Sequence, residues 1–400
     1  MKVIIDEKLV DEVLDRGTIK EIFPTKDEFK KKLLSGQKMR FYIGFDATAP
    51  TLHLSHAKNL ILLEKFRKLG HEVIMLFGDF TARIGDPSGL DTKRKQLSRK
   101  DVLHNIKIWK KLVKPLMGFS DFKNPPKIKY NHKWLSRLNF EKLIGLASNF
   151  TVQQMIERDM FQKRLSEGKP IHLHEFLYPL MQGYDSVAMN VDVELCGTDQ
   201  IFNALTGRTL LKKLKNKNKF VVAVTLMENP KTGELMSKSK GTGVFLDAVP
   251  NDMFGQIMAQ KDEMIEVLFV NNTYLSLEEI KNIMAENNPR DAKIILAREI
   301  VKIFYGGSEA SKAEKNFINT FQKKEIPDEK EEINCGAGEL LGDVLVKNKI
   351  LSSKGEWRRL VLGKGIHDLV ENKNILDVNF KIGEDLTLKI GKKRFLKIKI

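Results

Sequence analysis

Two short segments carry residue types that could do chemistry on a polyphosphate. The first is His53-Leu54-Ser55-His56, which opens a helical pattern. Two imidazoles three positions apart share one face of a helix. A helix start has free N–H groups that attract phosphate. Imidazoles placed there can donate hydrogen bonds to phosphoryl oxygens as charge builds on them. The second segment is Met236-Ser237-Lys238-Ser239, set among small residues. A lysine on such a loop can bring a point charge to a transferring phosphate. Taken singly, each segment has a plainer reading, as a surface or core histidine pair and as a solvated lysine turn. No metal-ligand set is expected. The histidines lack the i,i+4 spacing and the glutamate of a metalloprotease helix, and His172-Leu173-His174-Glu175 lacks further partners.

The elements around these segments predict how they are positioned. Residues 39–45 read as a buried strand, His53 to Leu69 as a helix closed by Gly70, and residues 72–77 as a second strand. A second strand–helix–strand run covers Val191–Cys196, Asp199–Leu214 and Phe220–Val224. Strand–helix–strand units with short connections imply a parallel sheet. The histidine pair then opens the first crossover helix, and the lysine loop follows the last strand. Residues 251–323 read as helices, punctuated by Asn288-Pro289 and Gly306-Gly307. The charged stretch from Lys323 to Glu332, with its proline, reads as a linker. The remainder reads as a small α+β unit, with helices at 339–348 and 354–362 and strands ending in 389–400. The expected division is 1–230 as a Rossmann-like α/β domain, 231–245 as the loop, 246–323 as helical, 324–332 as linker and 333–400 as the terminal unit.

Composition bounds the function classes. The 400 residues are 42% hydrophobic and 30% charged, which suits a folded chain and not a disordered one. No apolar stretch approaches the roughly 20 residues needed to span a bilayer. The N-terminus turns acidic at once and does not read as a signal segment. Two cysteines, Cys196 and Cys335, lie far apart, which fits a reducing cytoplasm better than a disulfide framework. The formal net charge is +16, and lysines cluster at 93–95, 212–219 and 389–399. That balance suggests a polyanionic partner, and lysine-rich runs favour backbone phosphate contact over base reading.

The two segments together resemble the paired signatures of class I aminoacyl-tRNA synthetases. Ser55 stands where that family usually has glycine, and Leu235 where it has the first lysine of the loop. The runs 42–53, Gly85-Asp86-Pro87-Ser88-Gly89, 178–185 and Gly197-Thr198-Asp199-Gln200 are similar, in order, to those of tyrosyl-tRNA synthetases. The resemblance covers most of residues 40–240. It implies activation of tyrosine by ATP with Mg²⁺ and transfer to the 3′ end of tRNA(Tyr). It also implies a symmetric dimer with no membrane association. His53, His56, Thr48 and Lys238 are then the expected catalytic positions. Tyr42 and Asp185 would meet the substrate phenol, Asp86, Tyr178 and Gln182 its ammonium, and Gln200 its carboxylate or the bridging phosphate. ATP would contact Gly44, Asp46, His53, His56, Asp199, Met236, Ser237, Lys238 and Ser239.

The segment Leu351-Ser352-Ser353-Lys354-Gly355-Glu356-Trp357-Arg358-Arg359 resembles the start of a small RNA-binding domain shared with ribosomal proteins and pseudouridine synthases. Lys354, Arg358 and Arg359 would offer a basic face to RNA backbone. On that resemblance the helical region is of the anticodon-binding type. Three other readings stay open at this stage: a tryptophanyl enzyme of the same fold, a nucleotidyltransferase that makes a cofactor, and an RNA-binding protein with a dead site. Trp109, Trp134 and Trp357 read as isolated structural residues.

Overall fold

The structure is a computed structural model that describes residues 2–86, 97–236, 242–321, 331–371, 373–391 and 394–400. The chain divides into two compact units, Met1–Ala310 and Ser311–Ile400.

The first unit is built on six strands: β1 (Ile19–Phe23), β2 (Arg40–Phe45), β3 (Glu72–Phe77), β4 (Lys127–Tyr130), β5 (Val193–Gly197) and β6 (Phe220–Val224). Their order across the sheet is β1-β6-β5-β2-β3-β4. Strands β2 to β6 pair in parallel, and β1 joins β6 antiparallel. The expected parallel sheet is therefore present, with an antiparallel edge strand added.

Neighbouring residues of β2 point to opposite faces, as strand geometry requires. Phe41 stacks on Phe66 of the Leu54–Lys68 helix, with ring centroids 4.5 Å apart. Tyr42 faces the other way and joins Ile74, Leu76, Met189 and Val191 in a buried cluster. The sheet is thus covered on both faces, as near-continuous apolar strands demand.

Helices Pro250–Met258, Met264–Asn272, Leu277–Glu286 and Pro289–Tyr305 complete the unit. Asn288 caps the last of these, accepting the Asp291 N–H at 3.1 Å, and Pro289 takes the first helical position. The helical region is tied to the sheet domain by specific hydrogen bonds. Arg16, almost fully buried, donates to the carbonyls of Val270 and Thr273 at 2.8 and 2.9 Å. Asn272 donates to the Leu54 carbonyl at 2.9 Å, at the start of the histidine helix.

The second unit carries a five-stranded sheet of β7 (Glu331–Asn334), β8 (Ile366–Asp368), β9 (Lys373–Asn374), β10 (Leu386–Ile390) and β11 (Arg394–Lys399), in the order β7-β11-β10-β8-β9. Helices Leu341–Lys347 and Lys354–Leu362 pack on it around Trp357, Leu388 and Leu396. The charged stretch read as a linker falls outside the described residues, except for its end, where Glu331 and Glu332 already belong to β7.

Candidate active site

The sheet order reverses between β2 and β5, because the chain passes from β2 outward to β3 and β4 and then returns to β5. Crevices at the carboxyl ends of strands beside such a reversal are where open α/β sheets bind ligands. A cleft of about 1090 Å³ lies there. It is lined by residues at the ends of β2, β3, β5 and β6 and by helices Leu54–Lys68 and Leu173–Met189.

His53 is the N-cap of its helix, with extended backbone, and His56 sits in the first turn. The two rings lie 4.3 Å apart, centroid to centroid. The His53 backbone N–H donates to His56 Nδ1 at 3.3 Å, so in a neutral His56 the hydrogen rides on Nε2. Burial lowers both imidazoles from their usual range, His56 to about 3 with help from His53. At neutral pH the pair is therefore a set of uncharged N–H donors. The ring of Trp109 closes over His56 at 5.6 Å, and its N–H is fixed on the Ala49 carbonyl at 2.7 Å.

Ser237, Lys238 and Ser239 lie outside the described residues. Both flanks of that loop are anchored beside the cleft. Met236 N–H donates to the Met227 carbonyl at 2.7 Å, just past β6. On the far side, Leu54 N–H donates to the Val244 carbonyl at 3.0 Å, and Leu246 N–H to the Leu52 carbonyl at 2.9 Å. The chain leaving the loop thus pairs with the segment that begins the histidine helix.

Asp46, just past β2, accepts from Thr81 Oγ1 at 2.6 Å and from the Tyr178 hydroxyl at 2.9 Å. A side chain on Gly78 would place its Cβ 1.8 Å from Asp46 Oδ1, so only glycine leaves room for this carboxylate. Burial pushes Asp46 up from 3.8 to about 7 against the pull of its two donors. Asp185 is buried on the Leu173–Met189 helix. It accepts from the Trp134 indole N–H at 2.7 Å and from Asn131 Nδ2 at 3.3 Å. Burial raises its acid as well, opposed by those two N–H donors. The Tyr42 hydroxyl lies 2.9 Å from Ser186 Oγ. Gln200 Nε2 donates to Asp86 at 2.6 Å, and Asn203 bridges the amide oxygens of Gln182 and Gln200 at 3.0 and 2.8 Å.

Comparison with known proteins decides what this cleft belongs to. The family model of class I tRNA synthetases (W and Y) matches residues 34–322. A tyrosine–tRNA ligase of Carboxydothermus hydrogenoformans is 41% identical, covering 97% of this chain and 97% of its own. One from Thermotoga maritima is 38% identical over 96% of each. The chain belongs to the tyrosine–tRNA ligase family of class I synthetases. The fold agrees with solved members. A mitochondrial tyrosyl-tRNA synthetase of Aspergillus nidulans superposes with TM-score 0.67 at 21% identity, covering 78% of this chain and 94% of that one. An Archaeoglobus fulgidus tyrosyl-tRNA synthetase complexed with L-tyrosine gives 0.59 at 18% identity, covering 76% and 99%.

In this enzyme, Tyr42, Gly44, Asp46, Thr48, His53, His56, Asp86, Tyr178, Gln182, Asp185, Asp199 and Gln200 all line the one cleft. Met236 is buried beside Met227 and is not among the lining residues. Lys354, Arg358 and Arg359 are exposed on the second unit, with Lys354 paired to Asp343 at 2.7 Å. The reading of the tryptophans as isolated is corrected for two of them, since Trp134 holds Asp185 and Trp109 packs on His56. His172, His174 and Glu175 are also wall residues of the cleft.

Lys58 was missed from sequence. It is almost fully buried on the histidine helix, lines the cleft and donates to the Thr225 carbonyl. Burial lowers its ammonium to about 8, with Asp199 opposing. A lysine two residues past His56, leading into the apolar run Leu60-Ile61-Leu62-Leu63, was the available signal.

Proposed function

We propose that this cleft carries both half-reactions of a tyrosine–tRNA ligase, with the lining residues in the roles that follow. The tyrosine carboxylate attacks the α-phosphate of ATP, an oxygen–phosphorus bond forms, and pyrophosphate leaves with its Mg²⁺. A ribose hydroxyl at the tRNA 3′ end then attacks the adenylate carbonyl and displaces AMP. Neither step needs a strong side-chain acid, base or nucleophile. The acceleration comes from alignment and from donors aimed where charge develops.

His53 and His56 act as neutral N–H donors to the phosphoryl oxygens, and Lys238 supplies the cation. Thr48 and Gly44 flank the triphosphate. Asp199 takes the ribose, and Met236, Ser237 and Ser239 complete the nucleotide side. Ser55 Oγ and Asn59 Oδ1, buried without a hydrogen-bond partner on the nucleotide-side helix, fit a polar ligand laid against it. Tyr42 and Asp185 meet the phenol. Asp86, Tyr178 and Gln182 hold the ammonium, and Gln200 the carboxylate. The convergence of Tyr42, His53, Asp86, Tyr178, Asp185 and Gln200, from distant parts of the chain, on one switch-point cleft carries the reading. Purified protein should catalyse ATP–pyrophosphate exchange that depends on tyrosine. Exchange driven by tryptophan, or none at all, would overturn it.

Asp46 gives this site a pH signature. Its carboxyl is protonated in the free enzyme below about pH 7. Above that it is an anion beside the ammonium cradle and draws in the Tyr178 hydroxyl. The kcat/KM for tyrosine should therefore rise as pH passes about 7, since that parameter reports the free enzyme. Asp46→Asn should flatten the rise, and an unchanged inflection would exclude Asp46 as its source. The linkage to stability has the opposite sense. Between about pH 4 and 7 the folded chain keeps a proton that the unfolded chain has released, so this group favours folding at low pH and loses that contribution as pH rises.

The second unit is proposed as the tRNA-backbone contact, through Arg358, Arg359 and the basic strand at 394–399. Removing residues 333–400 should leave tyrosine-dependent exchange near its full rate and cut tRNA charging. Unchanged charging would remove RNA binding from this unit. A homodimer is proposed from the segment between β4 and β5. Phe140, Ile144, Val152, Leu165 and Leu173 there are 77%, 54%, 66%, 50% and 79% exposed, large apolar side chains that a second copy could cover. Such a chain would work in the cytoplasm.

A further inference from the structure

Behind Tyr42 lies an ion pair that none of these roles uses. Lys219, immediately before β6, and Glu194, on β5, face each other with side chains 0% and 2% exposed. A buried ion pair is a poor stabiliser, because desolvating both charges offsets most of their attraction. Its place in the hydrogen-bond network points to another role. Lys219 Nζ also donates to Ser186 Oγ at 2.8 Å. That same oxygen lies 2.9 Å from the Tyr42 hydroxyl and 3.3 Å from Glu194 Oε2. Glu194 Oε1 accepts from Gln182 at 3.1 Å. Room for the lysine is made by a glycine. A Cβ on Gly207 would sit 2.7 Å from Lys219 Nζ and 2.9 Å from Ser186 Oγ.

Lone-pair counting restricts the hydrogens. An ammonium has only donors, so Lys219 must occupy a lone pair of Ser186. Ser186 has one hydrogen to give. It has two acceptors in reach, Glu194 Oε2 at 3.3 Å and the Tyr42 oxygen at 2.9 Å, and the Tyr42 oxygen is the nearer. A Ser186 hydroxyl that donates to Tyr42 lets the Tyr42 hydrogen turn from Glu194 to an oxygen in the cleft. We propose that the Lys219–Glu194 pair acts through Ser186 to orient the Tyr42 hydroxyl as a donor, and so sets the preference for a phenol over a bare ring. These three are positioning residues. The proposal rests on the reading of Tyr42 as a phenol partner.

The test compares tyrosine with phenylalanine in ATP–pyrophosphate exchange, using full-length Ser186→Ala and a double Lys219→Met, Glu194→Leu variant. The double change removes both charges together, which avoids leaving one buried and unpaired. Both variants should lower the tyrosine-to-phenylalanine ratio of kcat/KM by about five- to thirtyfold, the loss of one oriented hydrogen bond, with KM for ATP unmoved. Tyr42→Phe is measured alongside. A lowered ratio in Tyr42→Phe with an unchanged ratio in both other variants overturns the relay alone. An unchanged ratio in Tyr42→Phe overturns the phenol reading beneath it.

Discussion

Asp185→Asn should lower kcat/KM for tyrosine by about a hundredfold or more while leaving that for phenylalanine little changed. The expectation follows from the two donors already aimed at this carboxylate, the Trp134 indole at 2.7 Å and Asn131 Nδ2 at 3.3 Å. A carboxylate accepts from both and still has lone pairs for a substrate hydroxyl. An amide must turn an NH₂ group toward one of them. That leaves a buried donor facing a donor, at about 1–3 kcal/mol, and removes an acceptor from the phenol. Burial raises the Asp185 acid, and a phenol hydroxyl arriving as a third donor favours its ionised form. Phenylalanine brings no hydroxyl, so its activation is the internal control. An equal loss for both amino acids would mean that the site had collapsed.

His53→Ala should lower the rate of adenylate formation by roughly 10²- to 10³-fold, the usual cost of removing one preorganised donor to a developing oxyanion. Tyrosine affinity, measured at equilibrium, should stay within about threefold, because the ring serves the transition state and not the ground state. The position is also the N-cap of its helix. His53→Asn separates the two functions, since asparagine is a good cap and a weaker phosphate donor. Asparagine should restore the melting temperature fully and the rate only in part. A rate that returns completely with the cap would assign His53 to holding the helix start.

Much of this architecture is legible in the chain. Strands β3 and β6 have the expected limits, and the histidine helix is one residue shorter at each end, with His53 and Leu69 in its N-cap and C-cap positions. Their apolar runs and the Gly70 stop leave little choice. The edge strands β1 and β4 are not legible. Ile19-Lys20-Glu21-Ile22-Phe23 and Lys127-Ile128-Lys129-Tyr130 are short and charged, the composition that edges use to avoid pairing with other chains.

The cleft residues that sit on recognisable motifs are readable one by one. Their supports are not. Thr81, Asn131, Trp134 and Ser186 are ordinary residues in ordinary elements, and only the folded sheet brings them to Asp46, Asp185 and Tyr42. Glu194 is the exception that left a trace. A carboxylate between Val193 and Leu195, inside a central parallel strand, has no solvent to face and must find a buried partner.

The pairing of residues 52–54 with 244–246 joins stretches nearly half the chain apart. Contacts of such sequence separation form late, after the loop between them has closed. On the ribosome, a chain that has emerged only as far as β6 holds every strand of its parallel sheet, yet the start of the histidine helix still lacks its neighbour. The residues that seat the histidine pair are therefore completed only by a stretch made almost two hundred positions later.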